Sequence, residues 1–116
     1  DDGYLHITGR IKDIVIRGGE NIFPGDTEQA CYQIDGVKEC VVFGIPDEVM
    51  GEELAMIVRV DGSVVTKDRI RSGLQSRIAA YKIPKYIRLT EEPLMRGATE
   101  KFDKRAIRRA FIDQMP

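Results

Sequence analysis

Apolar and polar residues alternate in short runs at the start of the chain, which predicts strands before the first helix. Residues 4–8 alternate and predict a short strand. The β-branched run at 14–16 is followed by Gly18-Gly19 and a second apolar run. We therefore predict a hairpin over residues 13–23 that turns on the glycine pair.

The next segment changes to helical spacing and then returns to β-rich runs. Pro24 suits the first turn of a helix, and we expect this helix to end at Asp35-Gly36. The runs Val37–Ile45 and Leu54–Val60 are rich in β-branched residues. They are predicted to form an antiparallel pair.

The second half of the chain predicts two more helices and a third strand. Thr66 is a predicted N-cap, and the apolar residues that follow at i, i+4 and i+8 predict an amphipathic helix ending before Pro84. Residues 86–89 predict the strand, and residues 95–101 predict a loop. The apolar face of the last helix is predicted from Ala106, Ile107, Ala110 and Phe111.

The length and composition are typical of one globular domain. The chain has 116 residues, of which 42% are hydrophobic and 32% charged. We predict a single α+β domain over residues 1–116, in which a short β-hairpin precedes a small, mainly antiparallel three-stranded sheet covered by about three helices. The sequence contains no run long enough to span a membrane and no leader pattern, so a cytoplasmic protein is expected.

Charge is balanced overall but unevenly distributed. The 18 basic and 19 acidic residues give a net charge of −1, so neither nucleic acid nor a membrane is predicted as a partner. Residues 1–60 have a balance of −7 and residues 82–116 a balance of +4, so an anionic ligand should favour the C-terminal third. The chain begins Asp1-Asp2-Gly3 without Met, which predicts either a processed chain or a piece of a longer protein.

Cysteine and histidine give little indication of chemistry. Cys31 and Cys40 have neither CxxC spacing nor a nearby His, so we predict two reduced core residues and no metal site. His6 has no Ser or Cys partner at a catalytic spacing and is expected to lie on the surface.

Two basic segments are candidates for binding anions. Lys101 follows a glycine-containing loop from which a lysine can reach a phosphate or carboxylate, although a solvated lysine is the simpler interpretation. The basic residues of the last helix either form an anion-binding face or occupy its last turns because the helix dipole favours cations there. These residues are Lys104, Arg105, Arg108 and Arg109.

Several motifs then follow one another in order along the chain. They are Gly9-Arg10-Ile11-Lys12-Asp13, Gly18-Gly19-Glu20-Asn21-Ile22-Phe23-Pro24, Gly44-Ile45-Pro46-Asp47-Glu48 with Gly51-Glu52, Tyr81-Lys82-Ile83-Pro84 and Ala98-Thr99-Glu100-Lys101. With these motifs the chain resembles the C-terminal domain of adenylate-forming enzymes, the acyl-CoA synthetase group. It departs from the family pattern at Glu100, where the family has Gly, and at Asp26, where the family has Glu.

The resemblance implies the C-terminal lid domain of an ATP-dependent, AMP-forming acyl-CoA synthetase. Such an enzyme joins a carboxylic acid and ATP into an acyl-adenylate and then forms a thioester with coenzyme A. ATP or AMP, coenzyme A and Mg²⁺ are the implied ligands, bound together with a large N-terminal domain, and a carrier-protein thiol is the alternative acceptor. The domain alone is expected to be inactive. The alternative hypothesis is a stand-alone, non-catalytic interaction module derived from such a lid.

The resemblance also implies roles for individual residues. Lys101 is the implied catalytic lysine of adenylation, and Glu100 beside it predicts an impaired or specialised adenylation step. Lys12 is the implied hinge of lid rotation, and Arg10 is implied to contact nucleotide or the large domain. Gly18, Gly19 and Glu20 are implied to form the turn that enters the active site for the thioester step. This turn borders the path of the thiol.

Overall fold

The computed structural model describes residues 14–61, 65–94, 96 and 102–115. The predicted strand at 4–8 and the surface position predicted for His6 lie outside these residues. The elements, in chain order, are β1 (Val15–Arg17), β2 (Glu20–Ile22), α1 (Pro24–Tyr32), β3 (Val37–Asp47), β4 (Gly51–Val60), α2 (Lys67–Gln75), a 3₁₀ turn (Ala80–Lys82), β5 (Tyr86–Thr90) and α3 (Lys104–Asp113).

The sheet has five strands in the described part of the chain. Strands β3 and β4 form the predicted antiparallel pair, with Asp47 opposite Gly51 at their turn. The hairpin β1–β2 joins the sheet through Arg17, which pairs with Gly51. Strand β5 runs parallel to β4 further along the same edge, from Ala55 opposite Tyr86. The α+β class is confirmed, and the predicted three strands become five because the hairpin is part of the sheet.

Helices α1 and α2 begin where the sequence predicts, but both are shorter than expected. Helix α2 ends at Gln75, so Ile78, the last residue of its predicted apolar stripe, lies outside it. Helix α1 starts at Pro24 and ends at Tyr32 rather than at Asp35-Gly36. The chain leaves α1 through short-range hydrogen bonds, such as that from the Ile34 N–H to the Cys31 carbonyl at 3.0 Å, which turn Ile34 into the core. The predicted N-cap of α2 is confirmed, because the Thr66 hydroxyl accepts the Arg69 N–H at 3.1 Å.

Strand alternation divides the core into two layers, one on each face of the sheet. Successive side chains of a strand point to opposite faces. One face of β3 and β4 packs on α1 and α2, and the other packs on α3. The first cluster includes Cys31, Cys40, Val42, Leu54, Met56, Val58, Ile70 and Leu74, and the second includes Val41, Phe43, Ile45, Ala55, Ile57, Ile107 and Phe111. Both cysteines are free and buried, as predicted.

Side chains satisfy the outer edge of β3, which would otherwise be a row of unpaired backbone groups. The Cys40 N–H donates to the Tyr32 hydroxyl at 3.1 Å, and the Val42 N–H donates to the Glu28 carboxylate at 2.8 Å. Arg108 on α3 donates to the Gly44 carbonyl at 2.5 Å. The two helices that cover opposite faces therefore also close this edge.

Within the described residues, no helix is long and apolar enough to cross a membrane.

Candidate functional site

The structure places only part of the predicted site. Lys101, Lys12 and Arg10 lie outside the described residues, as does Glu100 beside Lys101. The implied thiol-path residues, Gly18, Gly19 and Glu20, form the turn of the first hairpin and the start of β2.

The hairpin is tight and turns on its two glycines, as the sequence predicts. Arg17 pairs with Glu20 across the turn, which leaves Gly18 and Gly19 as a two-residue loop. Their φ angles are 58° and 86°, and a two-residue loop with positive φ at both positions matches the right-handed twist of the flanking strands. Both positions therefore require a residue that tolerates the left-handed region.

The two glycines have different surroundings. A Cβ atom on Gly18 would lie 2.7 Å from the methyl carbon of Met50, so the methionine packs directly against the bare backbone. A Cβ atom on Gly19 would meet none of the described atoms within 4 Å. The turn is thus packed on the sheet at Gly18 and open on the side of Gly19.

Three consecutive residues attach the hairpin to the β3–β4 turn. The Ile16 N–H donates to the Glu52 carboxylate at 2.9 Å, and the Gly18 N–H donates to the Met50 carbonyl at 2.9 Å. Between them, Arg17 Nε lies 2.6 Å from Glu53 Oε1, and the Glu53 side chain is only 5% exposed. Glu52 belongs to the Gly-Glu motif of the sequence, so that motif has a contact in this structure.

A carboxylate also fixes the turn on which the hairpin rests. Asp47 accepts the N–H groups of Met50, at 2.8 Å, and of Val49, at 3.1 Å. The hydrogen bond from Met50 is the main cause that lowers the pKa of Asp47. This turn presents the Met50 side chain to Gly18.

A second buried carboxylate, Glu39, holds residues before segment 97–101, and one of them, Arg96, contacts Phe102 after the segment. Glu39 accepts the Leu94 N–H at 3.0 Å and lies 2.6 Å from the Arg96 guanidinium. Arg96 forms an isolated antiparallel bridge with Phe102, and its guanidinium lies 4.5 Å from the centre of the Phe102 ring. Burial alone would raise the pKa of Glu39, but the hydrogen bonds from Leu94 and Arg96 outweigh it and the pKa is lowered.

The basic residues of α3 do not occupy the positions that the helix-dipole explanation requires. Helix α3 begins at Lys104, so Lys104 and Arg105 lie in its first turn, where the dipole disfavours cations. Lys104 pairs with Glu28 at 3.2 Å, and Arg108 donates to the Gly44 carbonyl. Lys104, Arg105 and Arg108 border a cavity of about 270 Å³ beside Val15. The last-turn interpretation is therefore wrong, because the helix starts at the basic segment.

Comparison with known proteins identifies the family. Residues 26–101 match the model of the AMP-binding enzyme C-terminal domain. The chain belongs to this family. A feruloyl-CoA synthase from Amycolatopsis is 40% identical over 111 residues, covering 95% of this chain and 22% of the relative. A long-chain-fatty-acid–CoA ligase from Mycobacterium tuberculosis is 38% identical over 116 residues, covering 100% of this chain and 23% of the relative.

Solved structures of AMP-binding enzymes have the same fold. A fatty acyl CoA synthetase from Mycobacterium tuberculosis superposes with a TM-score of 0.85 at 36% identity, over 92% of this chain and 21% of that one. ATP-bound MatB from Rhodopseudomonas palustris gives a TM-score of 0.81 at 30% identity, over 88% and 20%. The chain thus spans about a fifth of the length of the relatives that it matches. The sequence resemblance to adenylate-forming enzymes is confirmed.

The sequence analysis missed two kinds of contact residue: Arg17 and Glu53, which attach the hairpin, and Glu39, which holds Leu94 and Arg96. These residues carry no motif signal for their contacts, because their partners lie far away in the sequence. Among the described residues, no group of three or more His, Cys, Asp or Glu side chains is arranged to hold a metal ion.

Proposed function

We propose that this chain is the C-terminal lid domain of an AMP-forming acyl-CoA synthetase and serves both half-reactions of that enzyme. The single observation that carries the proposal is the glycine turn, which is packed on the sheet at Gly18 and open at Gly19. The family match and the CoA-ligase relatives support the reaction class.

In the adenylation step, Lys101 offsets negative charge. The carboxylate of the acid and the α-phosphate of ATP approach each other in this step, and a fixed cation stabilises the charge that gathers between them. Support comes from the motif Ala98–Lys101 and from the anchored residues on either side of it, Arg96 and Phe102. Lys101 itself lies outside the described residues.

In the thioester step, the hairpin turn borders the path of the thiol. Gly19 leaves space for the pantetheine arm of coenzyme A, and Glu20 begins the strand beside that path. Rotation of the lid exchanges the Lys101 segment for the hairpin at the active site, with Lys12 as the hinge. Arg10 contacts nucleotide or the large N-terminal domain.

The ligands are shared with a large N-terminal domain in this proposal. ATP, the carboxylic acid and coenzyme A bind between the two domains, and Mg²⁺ accompanies ATP. The metal binds outside the described part of this chain. Coenzyme A is the proposed acceptor, because the relatives named above are CoA ligases. A carrier-protein thiol is the second acceptor to be tested.

The test separates the two half-reactions in the full-length enzyme that contains this chain. Adenylation is followed by acid-dependent exchange of labelled pyrophosphate into ATP, with acetate, dodecanoate, ferulate and oxalate as candidate acids. Thioester formation is followed from the synthetic acyl-adenylate and coenzyme A. Lys101→Ala should lower exchange by about 10²- to 10³-fold, because it removes one preorganised charge, and should retain thioester formation.

Gly19→Leu should lower thioester formation and retain pyrophosphate exchange, because its side chain fills the path of the thiol while Lys101 is unchanged. The melting temperature of this variant must be compared with that of the wild type, since a leucine at positive φ also strains the turn. Equal loss of both half-reactions in folded Lys101→Ala and Gly19→Leu proteins would contradict the proposal.

A further inference from the structure

The backbone alone holds the hairpin weakly. Strands β1 and β2 have three residues each, and within the described residues β1 pairs with β4 only through Arg17 and Gly51. A two-stranded hairpin is at best marginally stable in water. Side-chain contacts therefore contribute to its direction relative to the sheet, beside the backbone hydrogen bond from the Gly18 N–H to the Met50 carbonyl.

The contact between Arg17 and Glu53 is the one best suited to set that direction. Arg17 directly precedes Gly18, and its Nε lies 2.6 Å from Glu53 Oε1. The Glu53 side chain is 5% exposed and belongs to β4, which is paired with β3 along its whole length. A charge-assisted hydrogen bond to a buried, rigid acceptor has a narrow range of geometries.

The neighbouring contacts hold other parts of the hairpin: Val15 and Ile22 are buried in the core, and Met50 packs on Gly18. Two hydrogen bonds also hold its backbone. Glu52 accepts the Ile16 N–H, and the Met50 carbonyl accepts the Gly18 N–H. These bonds fix the distance between the hairpin and the β3–β4 turn. The guanidinium bond adds a third point beside them, and three points define the plane of the turn.

We propose that Glu53, acting through Arg17, is a positioning residue for the thioester half-reaction. It holds the Gly18–Gly19 turn in the direction in which the open side of Gly19 borders the thiol. This inference rests on the proposed function of the hairpin. Replacing a buried ion pair by apolar side chains is often neutral or stabilising, so an experiment can separate a contribution to geometry from a contribution to stability.

The experiment measures the ratio of thioester formation to pyrophosphate exchange in the full-length enzyme, with the acid that gives the fastest exchange and its synthetic acyl-adenylate. Glu53→Gln and Arg17→Met should each lower this ratio about 10-fold or more, since a displacement of about 1 Å can slow a reaction 10²-fold. The matched control is Asp61→Asn, which breaks the exposed ion pair with Lys38 and should leave the ratio at the wild-type value.

A double variant separates positioning from stability. Arg17→Met with Glu53→Leu replaces the pair by apolar side chains, and it should regain the melting temperature lost in the single variants while the ratio stays low. Amide hydrogen exchange on the 116-residue chain should be faster at residues 16–20 in Glu53→Gln than in Asp61→Asn. If single variants do not fold, the double variant carries the test.

The outcomes distinguish this inference from the proposed function. A wild-type ratio in folded Glu53→Gln, or recovery of both ratio and melting temperature in the double variant, would overturn the positioning role. If the Glu53 variants give such a result but Gly19→Leu lowers the ratio in the same assay, only the positioning role of Glu53 is contradicted. If Gly19→Leu also leaves the ratio unchanged, the proposed function of the hairpin has failed.

Discussion

The ammonium group of Lys104 lies 3.2 Å from the Glu28 carboxylate, and this ion pair joins two helices that pack on opposite faces of the sheet. The same Glu28 oxygen accepts the Val42 N–H at 2.8 Å. Glu28 therefore connects α1, the outer edge of β3 and α3. Glu28 thus has a structural role at the edge of the sheet.

Removing this carboxylate should destabilise the chain. Glu28→Ala leaves the Val42 N–H without its acceptor, and we expect a loss of about 1–3 kcal/mol in the free energy of unfolding. Glu28→Gln retains an acceptor and should lose less. Urea unfolding measures both, with the exposed Glu48→Ala as the control expected within about 0.5 kcal/mol of the wild type. Equal stability of Glu28→Ala and Glu48→Ala would contradict the role of Glu28.

The buried carboxylate of Glu39 should make stability depend on pH in the acid range. Its pKa is lowered in the folded chain from the usual value of 4.5, so the unfolded chain binds protons more readily. The stability that Glu39 contributes is present above pH 4.5 and is lost as pH falls through the lower, folded pKa. Glu39→Gln should therefore differ most from the wild type near neutral pH, and the difference should shrink on acidification.

Urea unfolding at pH 7, 5, 4 and 3 checks this dependence. Asp61→Asn is the control, because its carboxylate pairs with Lys38 at the surface and at 3.9 Å. The assignment fails if the difference between wild type and Glu39→Gln is constant across the pH range.

The sequence predicts the elements better than the contacts between them. The β-rich composition of Val37–Ile45 and Leu54–Val60 predicts both strands of the central pair, because the preference of a residue for strands is a local property. The partners of Glu53 and Glu39 are 36 and 57 positions away in the chain. A glutamate at the end of a strand predicts exposure, and only the fold brings an arginine that makes its burial possible.

The glycine turn is likewise predicted from its local sequence, whereas its packing depends on the fold. The pair Gly18-Gly19 predicts a hairpin turn, and the positive φ angles confirm it. The sequence does not distinguish the two positions, since the distinction depends on Met50 packing against Gly18 from another turn.

This difference predicts unequal effects of alanine at the two positions. Each substitution places alanine at positive φ, at a cost of about 1 kcal/mol or more. Gly18→Ala must also displace the Met50 side chain, so it should lower the free energy of unfolding more than Gly19→Ala does. Chemical denaturation measures both, and Met50→Ala as a second substitution should narrow the gap. Equal losses at the two positions would contradict the packing.

The isolated chain should fold but not catalyse. The family model covers residues 26–101, and the relatives are about five times longer than this chain. Pyrophosphate release from ATP should therefore remain at background with acetate, dodecanoate, ferulate and oxalate, while circular dichroism shows a cooperative unfolding transition. Robust, acid-dependent release by the purified 116-residue protein would contradict the lid proposal.

Glu100 precedes Lys101, the proposed catalytic lysine, at a position where the family pattern has glycine. A carboxylate next to Lys101 competes with the substrate anions for the ammonium group, whereas glycine allows a close approach of backbone to ligand. In the full-length enzyme, Glu100→Gly should raise the rate of pyrophosphate exchange about fivefold, which corresponds to about 1 kcal/mol. Glu92→Gly, which changes an exposed glutamate before the same segment, is the control and should leave exchange unchanged. Glu100→Gln removes the charge but keeps the side chain: if it raises exchange as much as Glu100→Gly, the inhibition is electrostatic. If neither variant raises exchange, the carboxylate does not oppose adenylation, and the enzyme uses Glu100 without loss of rate.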